Sequence, residues 1–382
     1  MNLYVRSIFC LLGQLALLPC QSGVPFYQND TATEKYSKGD IIHTIYLIGD
    51  AGKLDVSKPS GIEILQQHLT KADTNSTVIF LGDNIYDSGL PAETSSEYLQ
   101  AEKNLKLQLS ILNDYGGNVV FIPGNHDWNY SGGEGNKRVQ RQELYIENSL
   151  KKGNTFLPDN ACAGPIASEL DSDIVLLAID TQWYLHKKTR SGKKEGCLVD
   201  NEKEFVEELE KTLVRYKGKK IIIAGHHPIF TNGPHGGFFT LKDHLFPLTA
   251  ISNKLWIPLP IIGSLYPVLR KFGINRQDVN HKKQKKFKSE VLPLLKKYDD
   301  LIYAAGHEHS LQHFKKDNQH FIVSGAGCKT SHVVKDNDAS FTHSQQGFFK
   351  VIYLSSGEII IEAWATNQNR YNSGDLIYRT KI

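Results

Sequence analysis

Seven residues of this chain carry side chains that bind hard and borderline metal ions: Asp50, Asp83, Tyr86, Asn125, His226, His307 and His309. Each follows closely on a short apolar run, and glycine directly precedes Asp50, Asp83, Asn125, His226 and His307. The stretch Gly82-Asp83-Asn84-Ile85-Tyr86 shows the chemistry most openly. The two oxygens of a carboxylate such as Asp83 point in different directions, so one side chain is able to bridge two ions. Tyr86 brings a phenol to the same place. Phenolate is an uncommon ligand that favours a hard trivalent ion such as iron(III) over zinc or magnesium. A single histidine near a strand end is more often a hydrogen-bonded structural residue than a ligand. Seven such groups in this order are not accounted for in that way. His227 competes with His226 for one place, and His226 is preferred because it directly follows the glycine.

Strands must position these groups. Apolar, β-branched runs occupy residues 45–48, 77–81, 119–122, 174–179, 221–224 and 301–305, and most end in glycine plus a polar residue. Continuous apolar runs fit strands covered on both faces. Helical stretches lie between them at about 60–71, 94–113, 137–151 and 202–217. Alternation of strand and helix predicts an α/β architecture, with ligands at the carboxyl ends of the strands along one sheet edge. After Gly306 the runs 321–323, 347–353 and 358–363 read as meandering strands, the last two joined by the hairpin signal Ser355-Ser356-Gly357. They are expected to form a second sheet packed on the first.

At 382 residues the chain holds one large domain or two of ordinary size. A net charge of +3 gives nucleic-acid binding no support. Arg6 followed by an interrupted apolar run reads as a signal peptide over residues 1–22, with export to the cell surface, periplasm or medium. Cys20 leaves a lipoprotein alternative open, against which Pro19 argues. The expected domain covers 40–382. Of the remaining cysteines, Cys162 and Cys197 lie in loop-like surroundings, and an exported protein permits them to pair. Residues 237–296 read as an insertion, first apolar and proline-rich, then basic. Its prolines and Lys254 exclude a transmembrane helix. The plain expectation is a partly helical surface subdomain closing on a small core of its own. The sharper one is a lid or a peripheral membrane contact beside the site, with lysines facing anionic lipid or substrate.

Asp50-Ala51-Gly52, Gly82 to Tyr86, Gly124-Asn125-His126-Asp127, Gly225-His226-His227 and Gly306-His307-Glu308-His309 resemble, in order, the five motifs of the calcineurin-like metallophosphoesterases. The purple acid phosphatases of the small, tartrate-resistant type are the most similar branch. Most of the superfamily has a histidine where Gly52 stands, and Tyr86 would replace that lost ligand. The resemblance implies a four-layer β-sandwich flanked by helices and a binuclear metal centre. Asp50, Tyr86 and His309 would hold iron(III), and Asp83 would bridge. Asn125, His226 and His307 would complete a divalent site for Fe, Zn or Mn. The activity implied is hydrolysis of a small phosphorylated substrate, a phosphate monoester, by metal-activated hydroxide. His126 would protonate the leaving group or stabilise the phosphoryl charge, and His235 matches a second active-site histidine. Asp127 is expected to orient His126 or cap a helix. The same core also serves phosphodiesterases and nucleotide pyrophosphohydrolases. A non-catalytic surface binding protein and redox chemistry at iron are the readings from other classes.

Overall fold

The computed structural model describes residues 26–27, 36–53, 55, 59–186, 190–250, 252, 254–334, 339–367 and 374–382. The expected signal peptide and Cys20 lie outside them. No helix of the described residues is long and apolar enough to cross a membrane.

The chain runs β1 (Phe26–Tyr27), β2 (Ile41–Ile48), α1 (Gly61–Leu69), β3 (Ser76–Phe80), α2 (Tyr98–Ser110), β4 (Asn118–Phe121), α3 (Gly135–Leu150), β5 (Ile166–Asp171), β6 (Ile174–Ala178), α4 (Thr181–Leu185), α5 (Glu202–Arg215), β7 (Lys220–Ala224), α6 (Leu241–Leu245), α7 (Leu265–Lys271), α8 (Lys282–Leu295), β8 (Ile302–Ala305), β9 (Leu311–Lys316), β10 (Gln319–Ser324), β11 (Phe341–His343), β12 (Gly347–Leu354), β13 (Ile359–Thr366) and β14 (Gly374–Lys381). Local chemistry starts the helices where the pattern requires. Ser60 and Glu63 form a reciprocal capping box at α1, and Asn201 caps α5. Each such cap is worth about 1 kcal/mol.

Two sheets form, in the orders β14-β13-β12-β2-β3-β4 and β1-β11-β9-β10-β8-β7-β6-β5. Within the first, β2, β3 and β4 run parallel; within the second, β6, β7, β8 and β10 do. The sheets pack face to face. Ile45, Leu47, Ile79, Ile222 and Ala304 point into the layer between them. Their neighbours Tyr46, Ile48, Phe80, Ile223 and Tyr303 point the other way, into the core shared with the helices. This period-two split is what the continuous apolar runs encode.

Two expectations are corrected here. The strands after Gly306 do not make a sheet of their own. β9, β10 and β11 extend the sheet of β6–β8, whereas β12–β14 pair onto β2. The runs also belong to two parallel sets rather than one. A run buried on both faces reads alike whether a helix or a second sheet covers it.

The region 237–296 also divides. Its basic end is α8, which buries Phe287, Val291, Leu294 and Leu295 in the main core and is the crossover helix between β7 and β8. The lysines lie on its solvated face, where Lys283 pairs with Glu202 and Lys286 with Glu290. The rest, from Leu241 to Ile274, buries only Gly263 and Pro267 among its described residues, so the expected small core is absent. Cys162 and Cys197 form a disulfide, and Cys328 is free and buried.

Candidate metal centre

Register brings the site together. Ile48 lies beside Phe80, Phe80 beside Phe121, and Ala224 beside Ala304. The turns leaving β2, β3 and β4 therefore start at nearly one height, as do those leaving β7 and β8. The two sheets interlock at this edge. His307 N donates to Asp50 Oδ2 across 2.7 Å, and a Cβ on Gly306 would stand 2.6 Å from that oxygen. Asp50, Asp83 and His307 have φ of 57°, 53° and 68°, a left-handed backbone that costs non-glycine residues about 1–3 kcal/mol each. Strain of this kind persists where the surroundings fix it. Asp127 does part of that fixing: its carboxylate accepts from the N–H groups of Gly124, Asn84 and Ile85, tying the β3 and β4 turns together. The expectation that Asp127 orients His126 or caps a helix gives way to this clamp.

The seven candidate ligands gather in two groups. In the first, Tyr86 Oη donates to Asp50 Oδ1 at 2.9 Å and lies 3.2 Å from His309 Nε2, itself 3.5 Å from Asp50 Oδ1. In the second, Asn125 Oδ1 lies 3.0 Å from His226 Nε2 and 2.9 Å from His307 Nδ1. Asp83 stands between the groups. Its Oδ1 is 3.4 Å from His226 Nε2, and Asp50, Asp83 and His226 have ligand atoms within 4.8 Å of one another.

Proton bookkeeping tests whether a cation fits. A backbone carbonyl only accepts, so the nitrogen facing it carries the hydrogen. His226 Nδ1–H donates to Leu81 O at 2.8 Å, and His307 Nε2–H donates to Gln277 O at 2.8 Å. His226 Nε2 and His307 Nδ1 are then lone pairs, both aimed at the lone pairs of Asn125 Oδ1. With the amide oxygen turned toward both rings, Asn125 and the two imidazoles present three acceptors to one point, an arrangement suited to a metal ion. Both ring nitrogens of His227 are engaged, by Thr181 Oγ1 at 2.8 Å and Gln277 Oε1 at 2.6 Å, so His226 is the one that faces the cluster.

Electrostatics agree. Burial, then Asp83, raises the Asp50 carboxyl above its usual range. Burial also works against ionisation of Asp83, but the surrounding imidazoles and the His126 N–H outweigh it and hold that carboxyl below its usual range. Burial, then Asp50, holds the Tyr86 phenol well above its ordinary value. Burial lowers His309 to about 4 and drives His307 well below the usual imidazole range. The donor set is buried and crowded with acceptors, and burial favours the neutral form of His307 and His309, as suits metal ligands.

Around it lie the remaining candidates. His126 N donates to Asp83 Oδ1 at 2.8 Å, and its Nδ1 donates to Asp87 O at 2.6 Å. Its Nε2 is 3.9 Å from Asp83 Oδ2 and 2.9 Å from Tyr130 Oη. The His235 ring lies 4.0 Å, centroid to centroid, from that of His307, and its Nδ1 is 2.9 Å from Asp278 Oδ1. Asp278 is buried and also takes two hydrogen bonds from Arg270. Gln277, Asp278 and Lys329 were not singled out in the sequence. Gln277 holds His307 and its neighbour His227, and Lys329 Nζ stands 3.3 Å from the centre of the Tyr86 ring. Nothing in their local spacing marks them. A cavity of about 390 Å³ lined by Tyr36, Asp40 and Ser356 lies at the far end of β2 and holds none of these groups.

This fold and this edge define a metallophosphoesterase. A model of the calcineurin-like phosphoesterase family matches residues 43–311, and the chain belongs to that family. It is a phosphoester hydrolase whose curated relatives are purple acid phosphatases. Purple acid phosphatase 17 of Arabidopsis thaliana is 21% identical over 401 residues, spanning 98% of this chain and 99% of that protein. Among solved structures, GAP50, titled the anchor in the inner membrane complex of Plasmodium, superposes with a TM-score of 0.54 at 15% identity, over 88% of this chain and 89% of its own. Purple acid phosphatase PPD1 from yellow lupin (Lupinus luteus) seeds gives a TM-score of 0.50 at 13% identity, over 89% of this chain and 53% of its own. Both likenesses show the fold. Membership of the family implies a binuclear metal centre, with which the buried His and Asp cluster is compatible.

Proposed function

We propose that this protein is an exported phosphatase that hydrolyses phosphate monoesters at a centre of iron(III) and a divalent ion, Fe, Zn or Mn. The observation that carries the reading is the convergence of lone pairs from Asn125, His226 and His307 beside the Asp50–Tyr86–His309 triangle. Asp50, Tyr86 and His309 would hold the trivalent ion, Asn125, His226 and His307 the divalent one, and Asp83 both. Two ions so held supply Lewis acidity toward the phosphate and lower the pKa of bound water. Tyr86 is the residue that selects a hard trivalent ion.

The chain's own groups do the rest. The Leu81 and Gln277 carbonyls orient His226 and His307, so His226 Nε2 and His307 Nδ1 face the centre. His126 is held by the Asp87 carbonyl at the rim and is suited to protonate the departing alkoxide. His235, oriented by Asp278, is the second group facing the substrate. The Cys162–Cys197 bridge supports an oxidising, extracytoplasmic location.

The experiment is metal analysis with a visible spectrum, followed by turnover of p-nitrophenyl phosphate and bis-p-nitrophenyl phosphate. An absorption band in the green, at least one iron retained, and preference for the monoester are expected. A colourless enzyme with two divalent ions would remove the iron assignment, and preference for the diester would move the protein to the phosphodiesterases. Asp83→Ala is expected to abolish phosphate release; equal release by wild type and variant would favour a non-catalytic binding role.

A further inference from the structure

The excursion between β7 and α8 leaves a large apolar surface uncovered. Twelve of the eighteen exposed large apolar side chains among the described residues fall between Leu241 and Ile274. Ile261 is 90% exposed, Phe272 79%, Ile262 70% and Trp256 55%. Soluble surfaces seldom gather apolar groups in this way without a partner.

The excursion is nonetheless a built unit. Leu259 N donates to Leu245 O at 2.8 Å, and His244 Nδ1 lies 3.1 Å from Ser264 Oγ. The Trp256 ring packs on Phe246 at 5.4 Å, with Lys242 Nζ 4.6 Å above its face. Its base is anchored where Val279 N donates to His235 O at 3.0 Å and Arg270 pairs with Asp278. Hydrogen bonds hold its shape while its apolar side chains face outward.

Charge says what covers them. The exposed charged residues here, Lys242, Lys254 and Lys271, are all cations. Between Gly237 and His281 the only carboxylates are Asp243 and Asp278. Asp278 is buried against Arg270, and Asp243 accepts from Thr240 at the start of α6. A second copy seated on the same patch would bring cations against cations, since a two-fold contact sets a surface against itself. Aliphatic and aromatic side chains flanked by lysines, with no exposed acid, match the boundary of an anionic bilayer: the apolar groups enter the acyl region and the ammonium groups reach the headgroups.

We propose that residues 241–274 are a peripheral membrane-docking surface for anionic lipid, so that the phosphatase works at a lipid surface. The two segments at the excursion's base carry His235, whose ring packs on that of His307, and Gln277, whose carbonyl accepts from His307 Nε2, so docking sets the metal centre beside the headgroup plane.

The metal-loaded enzyme should be centrifuged with vesicles of phosphatidylcholine alone and of phosphatidylcholine with phosphatidylserine. Retention on the anionic vesicles, and its loss in about 0.5 M salt, is expected. Ile261→Asp with Phe272→Asp should weaken retention by at least about tenfold. Lys254→Glu with Lys271→Glu should weaken it on anionic vesicles only. Turnover of soluble p-nitrophenyl phosphate should stay at the wild-type level in both pairs, which shows that they fold. No retention by wild type, or retention indifferent to the aspartate pair, would overturn the proposal. So would a wild-type dimer, by sedimentation velocity, that the aspartate pair dissolves, because the patch would then be a contact between copies.

Discussion

Gly52 lies flat against the peptide that joins Asn84 to Ile85: a Cβ at position 52 would stand 2.6 Å from Asn84 C. Gly52 N donates to Asp83 O at 3.1 Å, and Tyr86 N donates to Gly52 O at 3.2 Å. The turn carrying the first carboxylate thus rests directly on the turn carrying the second. No side chain fits where the wider superfamily has its histidine. The same contact brings Tyr86 Oη to 2.9 Å from Asp50 Oδ1. A glycine at 52 and a tyrosine at 86 are two parts of one packing arrangement, the one that the proposed phenolate ligand needs.

Gly52→Ala should therefore disturb both turns at once. Forcing a methyl group against backbone costs about 1–3 kcal/mol, and backbone yields less readily than side chains. A fall of several degrees in the melting temperature is expected, together with weaker metal retention on dialysis. A variant that melts and holds metal as wild type does would show that the two turns can separate freely.

Tyr86→Phe keeps the ring and removes the oxygen. The buried Asp50 still accepts from His307 N, so the metal-free protein should lose only about 1 kcal/mol. The visible band should vanish and bound iron should fall, while the divalent ion stays, since Asn125, His226 and His307 are untouched. A variant that remains violet would place the coloured ligand elsewhere.

Much of the candidate site was legible because its seven groups arise at the ends of five apolar runs. Asp50, Asp83, Asn125, His226 and His307 sit one residue past a glycine at a strand end, and that spacing survives in a single sequence. The division of the strands between two sheets was not legible, because Ile45 and Tyr46 are equally buried although they face different layers. Gln277 was invisible for another reason. It reaches His227 across 50 positions of chain, through a loop whose path only the folded excursion sets. The lysine run of α8 shows the reverse, since a patch conspicuous in sequence proved to be the solvated face of a core helix.

Stability should fall in acid for reasons apart from the metal centre. Burial lowers His43, His68 and His320 each to about 4, against an ordinary value near 6.5. These imidazoles are neutral in the fold and take up protons when it opens. Their contribution is complete above about pH 6.5 and is lost progressively as pH falls from there to about 4, at no more than about 1.4 kcal/mol per pH unit per group. His43→Gln keeps a polar partner for Thr77 Oγ1, now 2.9 Å from the ring. Its melting temperature should fall less than that of wild type between pH 7 and pH 4.5, measured on metal-free protein. Parallel curves would locate the acid sensitivity elsewhere.

His235 is best tested by removing it rather than its partner. Burial opposes ionisation of Asp278, but Arg270 and His235 outweigh it and hold the carboxyl below its usual range. Asp278→Asn would leave the mostly buried Arg270 without its counter-charge, and breaking a buried pair costs about 3–5 kcal/mol. Lost activity in that variant would not separate catalysis from folding. His235→Asn leaves the Arg270–Asp278 pair whole, so melting temperature and metal content should match wild type. If His235 acts on the substrate, turnover of p-nitrophenyl phosphate should drop by about a hundredfold. Full turnover in a folded, metal-replete His235→Asn would make this histidine a post that anchors the excursion, and would leave proton transfer at the rim to His126 alone.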